Sequence, residues 1–286
     1  MRSNNKSITE KKQLMIGFIL LLICILLRIM DIFVLRLDEL IGEIIVSKFF
    51  GFLVIILCLR FTGRRLRDIG LHTERIGNSF KWGLMLVFIA LVFSYSTQYL
   101  FLLFNNASPI LAWNEYTLPK LVLLVLIGNV INSLMEEGLF RGVILKGLMQ
   151  HRSFWFANVL QAVLFGLWHI IWPIKLYSTG QISIGGAVMN ALIYTIFSGI
   201  MGFLMGYLFH KTSNLWTSIS WHTVWNSCLN LLTVQSAVLS NENALISKST
   251  NMFWVAFMIA VIISMLLICK IKSERANSYK SSCLRR

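Results

Sequence analysis

The chain has 286 residues, of which 57% are hydrophobic and 13% charged, and its mean hydropathy is +0.72. These values exclude a soluble globular protein and predict an all-α, polytopic membrane protein. The net charge of +14 is spread over many short loops, which favours membrane topology over nucleic-acid binding as its cause. The five cysteines have no CxxC or metal-ligand spacing, so we expect neither a disulfide framework nor a cysteine zinc site.

Eight apolar segments are each long enough to cross a bilayer as a helix of about 20 residues. They lie at 14–35, 44–61, 82–104, 121–149, 154–171, 185–209, 215–234 and 253–269. We divide the chain into three parts accordingly. These are helices one to three with a basic linker (1–120), a core of helices four to seven (121–234), and the last helix with a basic tail (235–286).

Charge predicts the orientation of these spans. Twenty of the 26 Lys and Arg residues fall on one set of alternating loops and termini, and four on the other. Positive charge collects on the cytoplasmic side of a membrane, so we expect a multi-pass cell-membrane protein with both termini cytoplasmic. The three prolines, Pro109, Pro119 and Pro173, then fall in outside loops. The linker residues Leu66, Ile69 and Leu71 suggest a segment at the membrane interface, and the basic tail is expected to contact anionic lipid.

Two adjacent carboxylates, Glu136 and Glu137, lie on the fourth predicted span. A charged side chain in hydrocarbon costs about 3 kcal/mol on insertion scales, so such a residue is usually functional or paired. Arg141 follows Glu137 by four residues and can form an ion pair with it on one helix face. Pairing explains one glutamate and leaves Glu136 as a candidate functional residue.

Further polar side chains occupy the next three spans. Phe165 and His169 share a helix face of the fifth span, and His222 and Asn226 share one of the seventh. A carboxylate away from water can act as a general base near neutral pH, and a histidine beside it can share the proton or hold a water. A second histidine and an amide could stabilise an oxyanion. This set is sufficient for hydrolysis of an amide bond, although the same glutamate and two histidines could instead hold a divalent metal.

Three motifs carry a family resemblance: EExxxR at 136–141, FxxxH at 165–169 and HxxxN at 222–226. Together, in this order and on successive spans, they resemble the intramembrane endopeptidases of the CAAX-protease and bacteriocin-processing family (CPBP, or Abi). The type II CAAX prenyl endopeptidases are its eukaryotic members. The resemblance covers roughly residues 121–234. It implies cleavage of a membrane-associated peptide or protein, and in bacteria a link to bacteriocin maturation, self-immunity or peptide signalling.

The resemblance also implies roles for individual residues. Glu136 and His169 would activate water, and His222 and Asn226 would stabilise the oxyanion. Glu137, Arg141 and Phe165 would support them. The family is regarded as glutamate-dependent, although it was formerly called a metalloprotease, so we expect no cofactor. If a metal binds, Glu136, His169 and His222 would be its ligands.

Other interpretations remain open for the function and for single residues. The chain could be a non-catalytic membrane partner, of a sensor kinase or in bacteriocin immunity, that keeps the motifs as a structural core. A proton-linked transporter ranks last, because no symmetry between halves is visible. Arg28 and Asp31 are expected to pair with each other on the first span, and Asn190 and Ser198 to join neighbouring helices.

Overall fold

The computed structural model describes residues 2–236 and 243–269. Eight long helices dominate this part of the chain. We label them α1 (Arg2–Ile29), α2 (Ile45–Phe61), α3 (Ile76–Phe104), α4 (Leu118–Leu148), α5 (Phe154–Ser178), α6 (Ile184–Thr212), α7 (Leu215–Leu231) and α8 (Asn243–Cys269). Two short helices, Leu37–Leu40 and the 3₁₀ turn Leu66–Ile69, lie in the connections, and a π-helical turn, Met30–Val34, follows α1.

The predicted all-α, polytopic architecture is confirmed. Within the described residues, six helices are long and apolar enough to cross a membrane. The remaining two of the eight predicted spans are α2 and α7, which are helices of 17 residues each. The proposed division into three parts stays a prediction. The predicted lipid-binding tail, from residue 270 onward, lies outside the described residues.

Several helix starts are fixed by local capping, which explains why they could be predicted closely. The hydroxyl of Ser153 accepts a hydrogen bond from the Phe156 amide at the start of α5, and Ser183 does the same for Gly186 at the start of α6. The Asn214 side chain accepts from the Trp216 amide before α7. These side chains satisfy amide groups that the first helical turn leaves without partners.

The seventh predicted segment is too long by three residues, because α7 ends at Leu231. The chain continues as strand β2 (Leu232–Ser236), which pairs antiparallel with β1 (Pro109–Trp113) in the register Pro109↔Ser236 to Trp113↔Leu232. Short apolar runs have the same hydrophobic pattern in a buried strand and in a buried helix, so the sequence did not separate them. The ribbon joins the loop after α3 to the end of α7.

Placing all three prolines in loops was wrong. Pro173 lies inside α5, and Pro119 lies in the first turn of α4. In α5 the 3₁₀ turn Trp168–Ile170 precedes Pro173, which is the third residue of the α-helical segment Ile171–Ser178. A proline is tolerated in the first turn of a helical segment, where its missing N–H has no partner to lose.

The helices of the core segment pack closely against their neighbours. α5 packs along α6, and α7 and α8 pack along α3. A Cβ atom on Gly166 of α5 would overlap the Thr195 carbonyl of α6, and one on Gly206 of α6 would overlap Asn158 of α5. Small residues at these points let the two backbones approach closely. In the linker, Ile69 is fully buried against Gly142 of α4, and the interfacial position of this segment stays a prediction.

Candidate active site

Helix α4 carries both glutamates at a change of helix type. Its α-helical segment Asn129–Glu137 ends at the pair, and a π-helical segment, Gly138–Leu145, follows. Glu136 is 2% exposed and Glu137 is fully buried. Successive residues of a helix point about 100° apart, so the two carboxylates face different neighbours.

Glu137 is the centre of a buried network that joins four helices. The predicted ion pair is present, because Arg141 Nη1 lies 3.2 Å from Glu137 Oε1, with both side chains fully buried. The same carboxylate oxygen lies 2.9 Å from His222 Nδ1 on α7. Arg141 also donates to the Gly202 carbonyl of α6 at 3.3 Å, and its guanidinium lies 4.3 Å from the centre of the Phe165 ring of α5. The network holds the His222 ring at Nδ1, so that its Nε2 faces Glu136.

Glu136 is held through one of its two oxygens. Oε1 accepts a hydrogen bond from the indole N–H of Trp168 at 2.9 Å and lies 3.4 Å from Nη1 of Arg28 on α1. Oε2 is buried and has no hydrogen-bond partner among the described residues, and it lies 3.8 Å from His222 Nε2, which is too far for a hydrogen bond. Glu136 therefore has one carboxylate oxygen available to react.

The pairing of Arg28 with Asp31 was predicted wrongly. Asp31 accepts hydrogen bonds from the amide and the hydroxyl of Ser47 in the first turn of α2, at 2.8 and 2.7 Å. Arg28 pairs with Glu136 instead. The three-residue spacing of Arg28 and Asp31 permits an ion pair on one helix, but each side chain found a partner on another helix.

His169 lies in the 3₁₀ turn of α5. Its Nδ1 is 2.8 Å from the Phe165 carbonyl oxygen. A carbonyl can only accept a hydrogen bond, so we assign the ring hydrogen to Nδ1. In a neutral imidazole Nε2 then has a free lone pair and can accept a proton. The Phe165 ring packs edge-on against both His169 and His222, with ring centres 4.8 and 6.2 Å apart.

A cavity of about 690 Å³ unites the predicted catalytic residues. Glu136, His169, His222 and Asn226 all line it, whereas Glu137, Arg141 and Phe165 are not among its lining residues. Asn226 is half-buried and makes no hydrogen bond among the described residues, so its amide is available to a ligand. The four residues predicted to be catalytic therefore face the cavity and the three supporting residues do not, while their roles stay predictions.

Sequence reasoning missed several residues around Glu136. Arg28 and Trp168 contact its carboxylate, and Asn132, one helical turn earlier on α4, lines the same cavity. The position of Trp168 next to His169 was an available signal. Asn190 and Ser198 also line the cavity. Asn190 bonds to the Gly186 carbonyl of its own helix and does not join two helices as expected.

The alternative metal site is not supported by the side-chain arrangement. In the part of the chain that the structure describes, no three His, Cys, Asp or Glu side chains are grouped so that they could hold a metal ion. Arg28 and Trp168 already occupy one oxygen of Glu136. We therefore derive no step through a metal.

A known protein family matches the part of the chain that carries this site. Residues 118–228 match the model of a family described as type II CAAX prenyl endopeptidase Rce1-like. This match agrees with the family resemblance inferred from the motifs, and the matched segment contains all seven predicted site residues. The chain is also 24% identical over 130 residues to a Bacillus subtilis (strain 168) protein named "Putative membrane peptidase YdiL", a match that spans 46% of this chain and 43% of the relative. No solved structure matches the chain.

Proposed function

We propose that this protein is a membrane endopeptidase of the glutamic type, which hydrolyses a peptide bond in a membrane-associated peptide or protein. The observation that supports the proposal best is the unpartnered Oε2 atom of Glu136, in a residue that lines one cavity with His169, His222 and Asn226. The family match over 118–228 and the name of the Bacillus relative favour the same reaction.

In the proposed reaction, Glu136 and His169 Nε2 hold a water molecule. Glu136 Oε2 takes a proton as the water oxygen attacks the carbonyl carbon of the substrate. The new C–O bond forms while the carbonyl π electrons move onto oxygen, and Asn226 donates a hydrogen bond to this oxyanion. When the C–N bond breaks, the proton held by Glu136 passes to the leaving nitrogen. The products are a carboxylic acid and an amine.

His222 would be a second hydrogen-bond donor to the oxyanion. Its Nδ1 already faces the carboxylate of Glu137 at 2.9 Å. A doubly protonated His222 would donate from Nε2 to the oxyanion, and Glu137 with Arg141 would hold the ring in place. We further propose a bacterial cell-membrane location with cytoplasmic termini and a role in bacteriocin maturation, self-immunity or peptide signalling.

A comparison in the host organism tests the proposal. Wild type, Glu136→Gln and His169→Ala are expressed at matched membrane levels in cells that lack the endogenous copy, and membrane-associated peptides are quantified by mass spectrometry. Glu136→Gln keeps the shape and hydrogen-bonding capacity of the side chain but removes the base. An uncleaved precursor should accumulate in both variants and not in wild type.

The matched control is Glu74→Gln, which makes the same acid-to-amide change in an exposed ion pair with Arg67, outside the cavity. It should process the precursor like wild type. Full function in both Glu136→Gln and His169→Ala would contradict the proposal and favour a non-catalytic membrane partner.

A further inference from the structure

Helix α1, which lies outside the matched segment 118–228, contributes a charged side chain to the candidate active site. We propose that Arg28 is a positioning residue which, together with Trp168, holds Oε1 of Glu136 and so presents Oε2 to the cavity. The expected effect of Arg28 on catalysis rests on the proposed function. The contact between Arg28 and Glu136 can be tested without it.

The contacts of Glu136 are divided unequally between its two oxygens. Trp168 Nε1 and Arg28 Nη1 both approach Oε1, at 2.9 and 3.4 Å. Within residues 2–236 and 243–269, Oε2 has no hydrogen-bond partner. A carboxylate held at one oxygen by two donors cannot rotate freely, so the second oxygen keeps a fixed direction. A fixed direction matters because a general base must lie within hydrogen-bond reach of the water it activates.

Two indole rings hold the guanidinium of Arg28. Its central carbon lies 4.4 Å from the centre of the Trp168 ring and 5.8 Å from that of Trp172. Arg28 is 4% exposed, and a cation over a tryptophan face is attracted most strongly when it is removed from water. Trp168 therefore acts twice, because it donates to Glu136 and also holds the arginine that pairs with Glu136.

The backbone of α1 is anchored close to Arg28. Asp31 is fully buried and accepts two hydrogen bonds from Ser47 at the start of α2. This contact lies three residues after Arg28, at the π-helical turn Met30–Val34. These hydrogen bonds hold the end of α1 against the start of α2. They therefore fix the position of Arg28 along the α1 axis relative to Glu136.

Two other buried basic side chains near Glu136 form ion pairs with other carboxylates. Lys48 pairs with Glu43 at 2.5 Å, and Arg141 pairs with Glu137. Among the described residues, Arg28 is the one Lys or Arg side chain that forms an ion pair with Glu136. Removal of Arg28 thus leaves Glu136 with Trp168 as its remaining donor and with His222 at 3.8 Å.

Kinetic measurements test the catalytic consequence. Arg28→Ala, Arg28→Lys and Trp168→Phe are purified in lipid nanodiscs and assayed on the peptide that accumulates in Glu136→Gln cells. We expect kcat to fall by about 100-fold in Arg28→Ala and by about tenfold in Trp168→Phe, with KM little changed, because misplacement of a reacting group by about 1 Å costs such factors. Arg28→Lys should keep part of the activity, and added guanidinium ion should restore part of it to Arg28→Ala.

The control removes an arginine that lies outside the cavity. Arg67→Ala, which breaks an exposed ion pair with Glu74, should keep kcat near that of wild type. An unchanged kcat in both Arg28→Ala and Trp168→Phe would overturn the inference, and so would a rise in KM alone, which would assign Arg28 to substrate binding. If Arg28→Ala does not fold, Arg28→Lys and Trp168→Phe decide the question by the same criteria.

An infrared measurement tests the geometry without any substrate. The difference spectrum between wild type and Glu136→Gln isolates the carboxylate bands of Glu136. When the same difference spectrum is recorded in each variant background, these bands should shift in Arg28→Lys and in Trp168→Phe, and should stay in place in Arg67→Ala. Unshifted bands in both would overturn the inference. A shift combined with no cleavage by wild type would contradict the proposed function and leave the positioning contact supported.

Discussion

At the scale of single residues, the two adjacent glutamates differ in what surrounds them. Glu137 contacts Arg141 and His222 in a fully buried network, whereas Glu136 keeps an oxygen without a partner. The spacing of Glu137 and Arg141 predicted their pairing because i, i+4 contacts are local. The contact of Arg28 with Glu136 joins residues 108 positions apart, and a single sequence has no signal for such a pair.

The difference between the two glutamates predicts different effects on stability. Glu137→Gln leaves the buried Arg141 without its counter-ion and should lower the free energy of unfolding by about 3–5 kcal/mol. Glu136→Gln also takes the carboxylate away from buried Arg28, but it should cost less, because the new amide can still accept from Trp168 and two indole rings still hold the guanidinium. Denaturant titration in detergent, followed by tryptophan fluorescence, measures both variants.

A double-mutant cycle provides the control. Glu137→Met/Arg141→Met removes both charges, so its cost should be smaller than the sum of the two single substitutions. Equal destabilisation by Glu136→Gln and Glu137→Gln would contradict the division of roles between them.

At the scale of elements, helix starts with side-chain caps were predictable, and local changes of helix type were not. The π-helical segment after Glu137 and the 3₁₀ turn at His169 lie within segments that are continuously apolar. Hydrophobic periodicity over such segments does not report the hydrogen-bonding pattern of the backbone. The result is that His169, predicted near the end of the fifth span, lies at the middle of a longer α5.

The contact between α5 and α6 should depend on Gly166, three residues before His169. Gly166→Ala places a Cβ against the Thr195 carbonyl, and such overpacking costs about 1–3 kcal/mol. We expect a lower unfolding temperature. We also expect a lower activity, because α5 must move away from α6 to relieve the overlap, and this movement displaces the turn that carries His169.

Gly185→Ala is the matched control on α6. A Cβ there meets only the Ser183 hydroxyl at 4.0 Å, and alanine has the higher helix propensity. This variant should be as stable as wild type or slightly more stable. A thermal-shift assay that gives the same unfolding temperature for Gly166→Ala and Gly185→Ala would argue against close packing at Gly166.

At the scale of the whole molecule, composition predicted the class of architecture, and the motifs predicted which residues would meet. Four residues from α4, α5 and α7 line one cavity, as expected for side chains that a bilayer does not tolerate singly. The contribution of α1 could not be predicted, because it depends on how the helices outside residues 118–228 pack against the core. The orientation in the membrane stays a prediction.

Cysteine labelling in intact cells tests that orientation. In a background without the native cysteines, Asn105→Cys in the loop after α3 should react with a membrane-impermeant thiol reagent. Arg65→Cys in the basic linker should react only after the cells are opened. Both positions are exposed on the protein, so accessibility differences report the side of the membrane. The reverse pattern would place the termini outside.

The central claim is that Glu136 activates the water that cleaves a peptide bond. Its most direct test is the turnover of the accumulating peptide by purified wild type, Glu136→Gln and Glu74→Gln in lipid nanodiscs, with folding checked for each. The account predicts that Glu74→Gln, which lies outside the cavity, turns over like wild type. Glu136→Gln should lose a factor of about 10²–10⁴, the range for removal of a general base. Turnover by a folded Glu136→Gln at the wild-type rate would contradict it.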